Sequence, residues 1–180
     1  MATGPIFPVT IHGTLADVYG TPIAAYANNF NGLPLGVGLQ LGMGAVLFDF
    51  TIVRLLKASG GVNNFDAVTY QTGNSNDYTV TQTSALNQFV VGANDRSGAT
   101  PLVANNVAWM TTKGIANFNV APSLTAPAQL VSGATPGQLA LYTPGTANVS
   151  TGIITGYSIQ LNLSLLNTTT SAGAYPVRIT

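Results

Sequence analysis

From Tyr157 to Leu165 every second residue is apolar. Tyr157, Ile159, Leu161, Leu163 and Leu165 alternate with Ser158, Gln160, Asn162 and Ser164. Successive side chains of a strand point to opposite faces, so this pattern reads as a strand with one core face and one neutral polar face. A second run, Leu35, Val37, Leu39, Leu41 and Met43, alternates with Gly36, Gly38, Gln40, Gly42 and Gly44. Its glycine face has nothing to pack, which in a strand marks a bulge or close approach by another backbone. The phase then slips to Val46, Phe48, Phe50 and Ile52. Either a bulge or a loop at Gly42–Gly44 separating two strands accounts for that slip.

Helix signals are nearly absent. All five acids are Asp, and Lys and Arg together number five, so i,i+4 ion pairs cannot be written. Thr, Val, Gly, Asn and Pro dominate and favour strands and turns. Further strands are expected at 67–71, 77–83, 88–92, 107–113, 115–121, 129–132 and 138–142. Turn clusters separate them: Asn63-Asn64, Gly73 to Asp77, Asn94 to Gly98, Asn105-Asn106 and Thr135-Pro136-Gly137. Short strands at this spacing predict an all-β fold, a compact barrel or sandwich of short antiparallel strands. Residues 1–34 hold Pro5, Pro8, Pro22 and Pro34 with weak alternation. They read as an extended N-terminal arm on a β-barrel domain of residues 35–180.

Charge narrows the function. Charged residues are 6% of 180, with zero formal net charge, where a typical globular chain has about 25%. A folded monomer of this mass exposes roughly 8,000 Å², so ten charges leave about 800 Å² for each. Arg54, Lys57, Arg96, Lys113 and Arg178 are dispersed, which argues against nucleic acid and anionic membranes as partners. The segment between Asp17 and Asp49 is broken by Asn, Pro and Gly and does not read as a membrane helix. With no cysteine, the sequence excludes disulfides and thiolate chemistry.

No catalytic pattern emerges. His12 is the sole histidine, no Gly-x-Ser-x-Gly elbow is present, and no Asp lies at ligand spacing from it. Asp66, Asp77 and Asp95 read as turn residues, and neither a metal nor a cofactor is expected. Tyr70, Tyr78, Phe89, Trp109, Phe118 and Tyr142 lie in or beside strands, where packing is the ordinary use of a ring. Aromatics in the arm suit docking on another surface. Phe7, Val9, Ile11, Tyr19, Tyr26 and Phe30 are therefore the candidate interface residues.

One ordered set of segments is familiar. It opens with Ile52-Val-Arg-Leu-Leu-Lys-Ala-Ser-Gly-Gly-Val and continues through Asp66-Ala-Val-Thr-Tyr and Phe89-Val-Val-Gly-Ala-Asn. Ala108-Trp-Met-Thr-Thr-Lys-Gly-Ile-Ala-Asn-Phe-Asn-Val-Ala and Leu130-Val-Ser-Gly-Ala-Thr-Pro-Gly-Gln-Leu follow. This order resembles the small β-barrel capsid decoration, or cement, proteins of tailed bacteriophages, over roughly residues 45–165. The resemblance implies a non-enzymatic virion protein on the outer capsid surface. Its partners would be the major capsid protein and itself, as a homotrimer. The reading from another class is a carbohydrate-binding or adhesin-like β module of a fibre, in which Trp109 or the tyrosines would stack on sugars.

Overall fold

The structure, a computed structural model, describes residues 6–10, 23–24, 29–30, 33–36, 38–42, 51–71, 78–86, 88–95, 101–143 and 163–180. Among these it is all-β, as expected. The strands are β1 (Ile6–Thr10), β2 (Ile23–Ala24), β3 (Asn29–Phe30), β4 (Leu33–Pro34) and β5 (Gly38–Gly42). They continue with β6 (Thr51–Ala58), β7 (Ala67–Tyr70), β8 (Thr79–Gln82), β9 (Gly92–Ala93) and β10 (Asn106–Val120). The last four are β11 (Ala128–Ser132), β12 (Leu139–Leu141), β13 (Leu163–Leu165) and β14 (Gly173–Ile179). All but the β3–β4 pair join one mixed sheet.

The sheet closes on itself twice. In the first ring β6 pairs β8, β8 pairs β7, β7 pairs β9, β9 pairs β10, and β10 returns to β6. In the second, β10 pairs β12, β12 pairs β11, β11 pairs β13, β13 pairs β14, and β14 returns to β10. Each ring has one narrow seam, at the residue pairs Thr111–Ala93 and Val120–Leu139. Both rings use β10, a strand of 15 residues.

The sequence reading divided β10 at Gly114 into two strands; the structure makes it one. A register shift between Thr111 and Lys113 inserts an extra residue, and Gly114 takes φ +99°. The chain bends there without leaving the sheet. An extra residue also reverses which face even-numbered residues occupy. Accordingly Ala108 and Met110 belong to one core, with Leu56, Ala58, Val62, Val68, Val80, Val91 and Leu102. Ala116, Phe118 and Val120 belong to another, with Leu130, Leu139, Leu163, Leu165, Val177 and Ile179. Alternation also splits β7: Ala67 joins the second core and Val68 the first. Likewise Val90 joins the second and Val91 the first, so this wall has a core on each face.

Three further strand expectations change. Residues 35–44 do not form one strand: Leu35 and Gly36 lie in a turn, and β5 starts at Gly38. β5 and β6 are separate antiparallel strands, so the phase slip is not a bulge within one strand. The even phase is not carried into β6 either. Val53 and Leu55 are buried, then Leu56 and Ala58, because β6 has apolar neighbours on both faces. Finally, Gln88–Val91 is not ladder, and only Gly92–Ala93 is strand. Gln88 Oε1 accepts the N–H of Ser84 at 2.5 Å and of Ala85 at 3.1 Å. The Ser132 hydroxyl sits 3.0 Å from Ala85 O and 3.1 Å from Gln88 O. In this segment the Ser132 side chain takes the Gln88 carbonyl, and Val91 N–H reaches Val68 O of β7 at 2.8 Å without extending the ladder.

Phe118 is fully buried in the second core, so Phe118→Ala should cost about 3–5 kcal/mol in urea unfolding. At the first ring's seam, a Cβ on Gly92 would collide with the Thr111 carbonyl oxygen. Gly92→Ala should cost about 1–3 kcal/mol, whereas Gly60→Ala, with nothing within 4 Å, should be neutral or slightly stabilising. Equal effects of the two glycine substitutions would contradict close packing at that seam.

Candidate functional site

Closing a sheet on itself removes strand edges, and here each ring closes at a single residue pair, so the rings leave few edges to offer a partner. β1 to β4 belong to neither ring, and among the described residues the sheet's path begins at β1. β1 pairs only with β5, in parallel, placing Ile6 opposite Gly38, Phe7 opposite Leu39, Pro8 opposite Gln40, Val9 opposite Leu41 and Thr10 opposite Gly42. β5 in turn pairs antiparallel with β6, which ties β1 to the first ring. β2 pairs with the start of β10, Ile23 opposite Val107 and Ala24 opposite Asn106. The far side of β1 is a row of backbone groups without a neighbouring strand among the described residues. Proline cannot donate to a ladder and is tolerated on edge strands, so Pro8 interrupts the donors that β1 can present. Such an interruption restricts which strand can add there.

Of the sequence's interface candidates, Phe7 and Val9 fall on β1 and Phe30 on β3, opposite Leu33. Ile11, Tyr19 and Tyr26 lie outside the described residues, as do His12, Asp17, Asp49 and Asp77. Within the expected arm, then, the described strands β1 and β2 are hydrogen-bonded to the main sheet.

The junction to the rings is apolar on one side and anchored by one cation. Leu35, Leu55 and Val107 form a third cluster, with Tyr78 and Trp109 packed against it. Gly36 N–H donates to Leu55 O at 2.8 Å, and Arg54 Nη1 donates to Gly36 O at 2.8 Å. A Cβ at Gly36 would strike the Tyr78 ring, so the space above this glycine is used by the chain's own aromatic. Tyr78 also meets Tyr70 edge-on, with ring centroids 6.5 Å apart. Trp109, on which a sugar-stacking reading would rest, is half-buried against the third cluster. Among the described residues the exposed large apolar side chains are Leu86, Val103, Leu141 and Leu166.

The rest of the turn cluster expected around Asp95, residues 96–98, lies outside the described residues; the Asp95 Oδ1 accepts from Asn117 Nδ2 at 3.2 Å, and burial raises its carboxyl above 3.8. Asp66 closes a turn as its sequence reading expected, its Oδ2 accepting Asn63 N–H and its own N–H donating to Asn63 O, but it also reaches beyond that turn. Asp66 is only 1% exposed, and its carboxylate accepts three N–H groups from three different parts of the chain. No local spacing signals that: Gln82 and Asn119 are far from it in sequence. Among the described residues no group of three or more His, Cys, Asp or Glu is placed to hold a metal.

A scan against protein-family models finds no match, and a search of curated proteins finds no similar one.

Burial pushes the Asp66 carboxyl up from 3.8, and the Asn63, Asn119 and Gln82 donors pull it back without cancelling the rise. Folding therefore favours the protonated form. Its stabilising contribution is complete below 3.8 and is lost as pH rises through the raised folded value. Wild-type stability measured against Asp66→Asn, which does not titrate, should decline from pH below 3.8 to neutrality. A gap that widens with pH would contradict the raised carboxyl.

Proposed function

We propose that this chain is a structural virion subunit that binds the outer surface of an assembled phage capsid and reinforces contacts between major capsid subunits. One observation carries the reading: the open strand edge falls in the N-terminal segment, outside both closed rings. The sequence reading reached the same segment from its aromatics. The resembling stretch, residues 45–165, takes in the ring-forming strands β6 to β13 and leaves out β14. Scarce charge is in keeping with contacts made by apolar side chains and backbone hydrogen bonds.

The mechanism is thermodynamic linkage. Packaged nucleic acid loads the seams between capsomers. A subunit that spans a seam adds interface that must break before the shell opens, and one that binds only the assembled shell stabilises it by mass action. Repetition over a lattice raises the effective concentration of each contact. β1 would supply the contact by strand addition, in which main-chain bonds give affinity and alternate side chains give selectivity. Phe7 and Val9 stand at alternate positions of that strand. A homotrimer would place three such edges around one symmetry axis.

Co-sedimentation with shells assembled from a tailed-phage major capsid protein tests this directly. A chain lacking residues 1–34 keeps both rings, so it should stay folded by circular dichroism but fail to co-sediment. Normal co-sedimentation of the truncated chain would overturn the attachment site. Binding of the full chain should change less than about threefold between roughly 0.05 and 0.5 M salt, because few ionic contacts are available to screen. A steep loss of binding over that range would contradict neutral attachment.

A further inference from the structure

The two rings are joined by more than β10. Asp66 lies just before β7, and its Oδ2 accepts Asn63 N–H at 2.6 Å and Gln82 Nε2 at 2.7 Å. Gln82 is the last residue of β8, so both donors belong to the first ring and the loop entering it. Its Oδ1 accepts Asn119 Nδ2 at 2.9 Å, from the half of β10 that pairs with β14 in the second ring. Gly137, in the β11–β12 turn of the second ring, stands so close that a Cβ there would collide with this carboxylate. Backbone bonds converge on the same place. Ala67 N–H donates to Gly137 O at 2.8 Å, Gly137 N–H to Thr83 O at 2.8 Å, and Asn119 N–H to Phe65 O at 2.7 Å.

The groups facing Asp66 from its own loop, β8, β10 and the β11–β12 turn are all neutral: Asn63, Gln82, Asn119 and Gly137. A carboxylate held only by neutral donors is expensive to bury, and an apolar side chain would fill the space at lower cost. What the carboxylate adds is direction. Two acceptor oxygens fix donors from two rings at once, and such a network specifies one arrangement.

We propose that Asp66 is an interlock that makes the two rings open as one cooperative unit. The inference concerns the fold and stands apart from capsid binding. Native-state hydrogen exchange on the full chain tests it. In the wild type, the slowest amides of β6–β8 and of β11–β14 should share one opening free energy. Asp66→Asn turns an amide NH2 toward a donor. The amides of β11–β14 should then lose about tenfold more protection than those of β6–β8. Equal loss in the two rings, or unequal opening already in the wild type, would overturn the interlock.

Should Asp66→Asn fail to fold, milder variants carry the same test. Gln82→Ala and Asn119→Ala each remove one donor, from opposite rings and opposite oxygens. Through a shared carboxylate their effects on the unfolding constant should depart from additivity by about threefold or more. Strict additivity would show that the carboxylate transmits nothing between the rings.

Discussion

Everything in this molecule hangs on one strand. β10 is flanked first by β6 and β9, then by β14 and β12, and so forms a wall of two rings in succession. In a strand without a bulge, all even positions face the same side. The extra residue between Thr111 and Lys113 changes the face that even positions occupy, which lets Met110 and Phe118 fill different cores. Without that inserted residue, Phe118, the largest fully buried side chain among the described residues, would turn out of the second core.

Closure explains how so uncharged a chain has a manageable surface. Natural sheets guard exposed edges with charge, and this chain has little to spend on that purpose. Two closed rings remove most edges instead. What remains open among the described residues lies in the N-terminal strands, where Pro8 limits indiscriminate pairing. The proposed attachment to a capsid follows from that edge together with the sequence resemblance.

Local chemistry made much of the fold legible. Period-two runs bounded by Asn, Gly and Pro located β7, β8, β11 and β12 to within a few residues, because each strand's pattern is set by its own pleat. Features decided by distant partners were not legible. Gly114 looked like a terminator because a positive-φ glycine in mid-strand requires a bulge that only β6 reveals. β14 went unread although Tyr175, Val177 and Ile179 alternate with Pro176 and Arg178, because a proline inside a run demotes it as a strand. Pro176 is tolerated there because it lies beyond the part of β14 that β13 pairs, Val177 to Ile179. Asp66 looked like only a turn residue because its Gln82 and Asn119 donors arrive from other strands. For the candidate interface, the N-terminal position of Phe7, Val9 and Phe30 was legible, but the pairing of β1 with β5 was not. Parallel pairing leaves no turn signal between the two strands.

The capsid reading is tested most directly by imaging shells decorated with the full chain at a resolution that separates strands. The expected result is density for both rings on the outer surface, with β1 extending a sheet of a capsid subunit or a sister copy. Rings bound through the β11–β12 turn with β1 facing solvent, or no bound density at all, would contradict it.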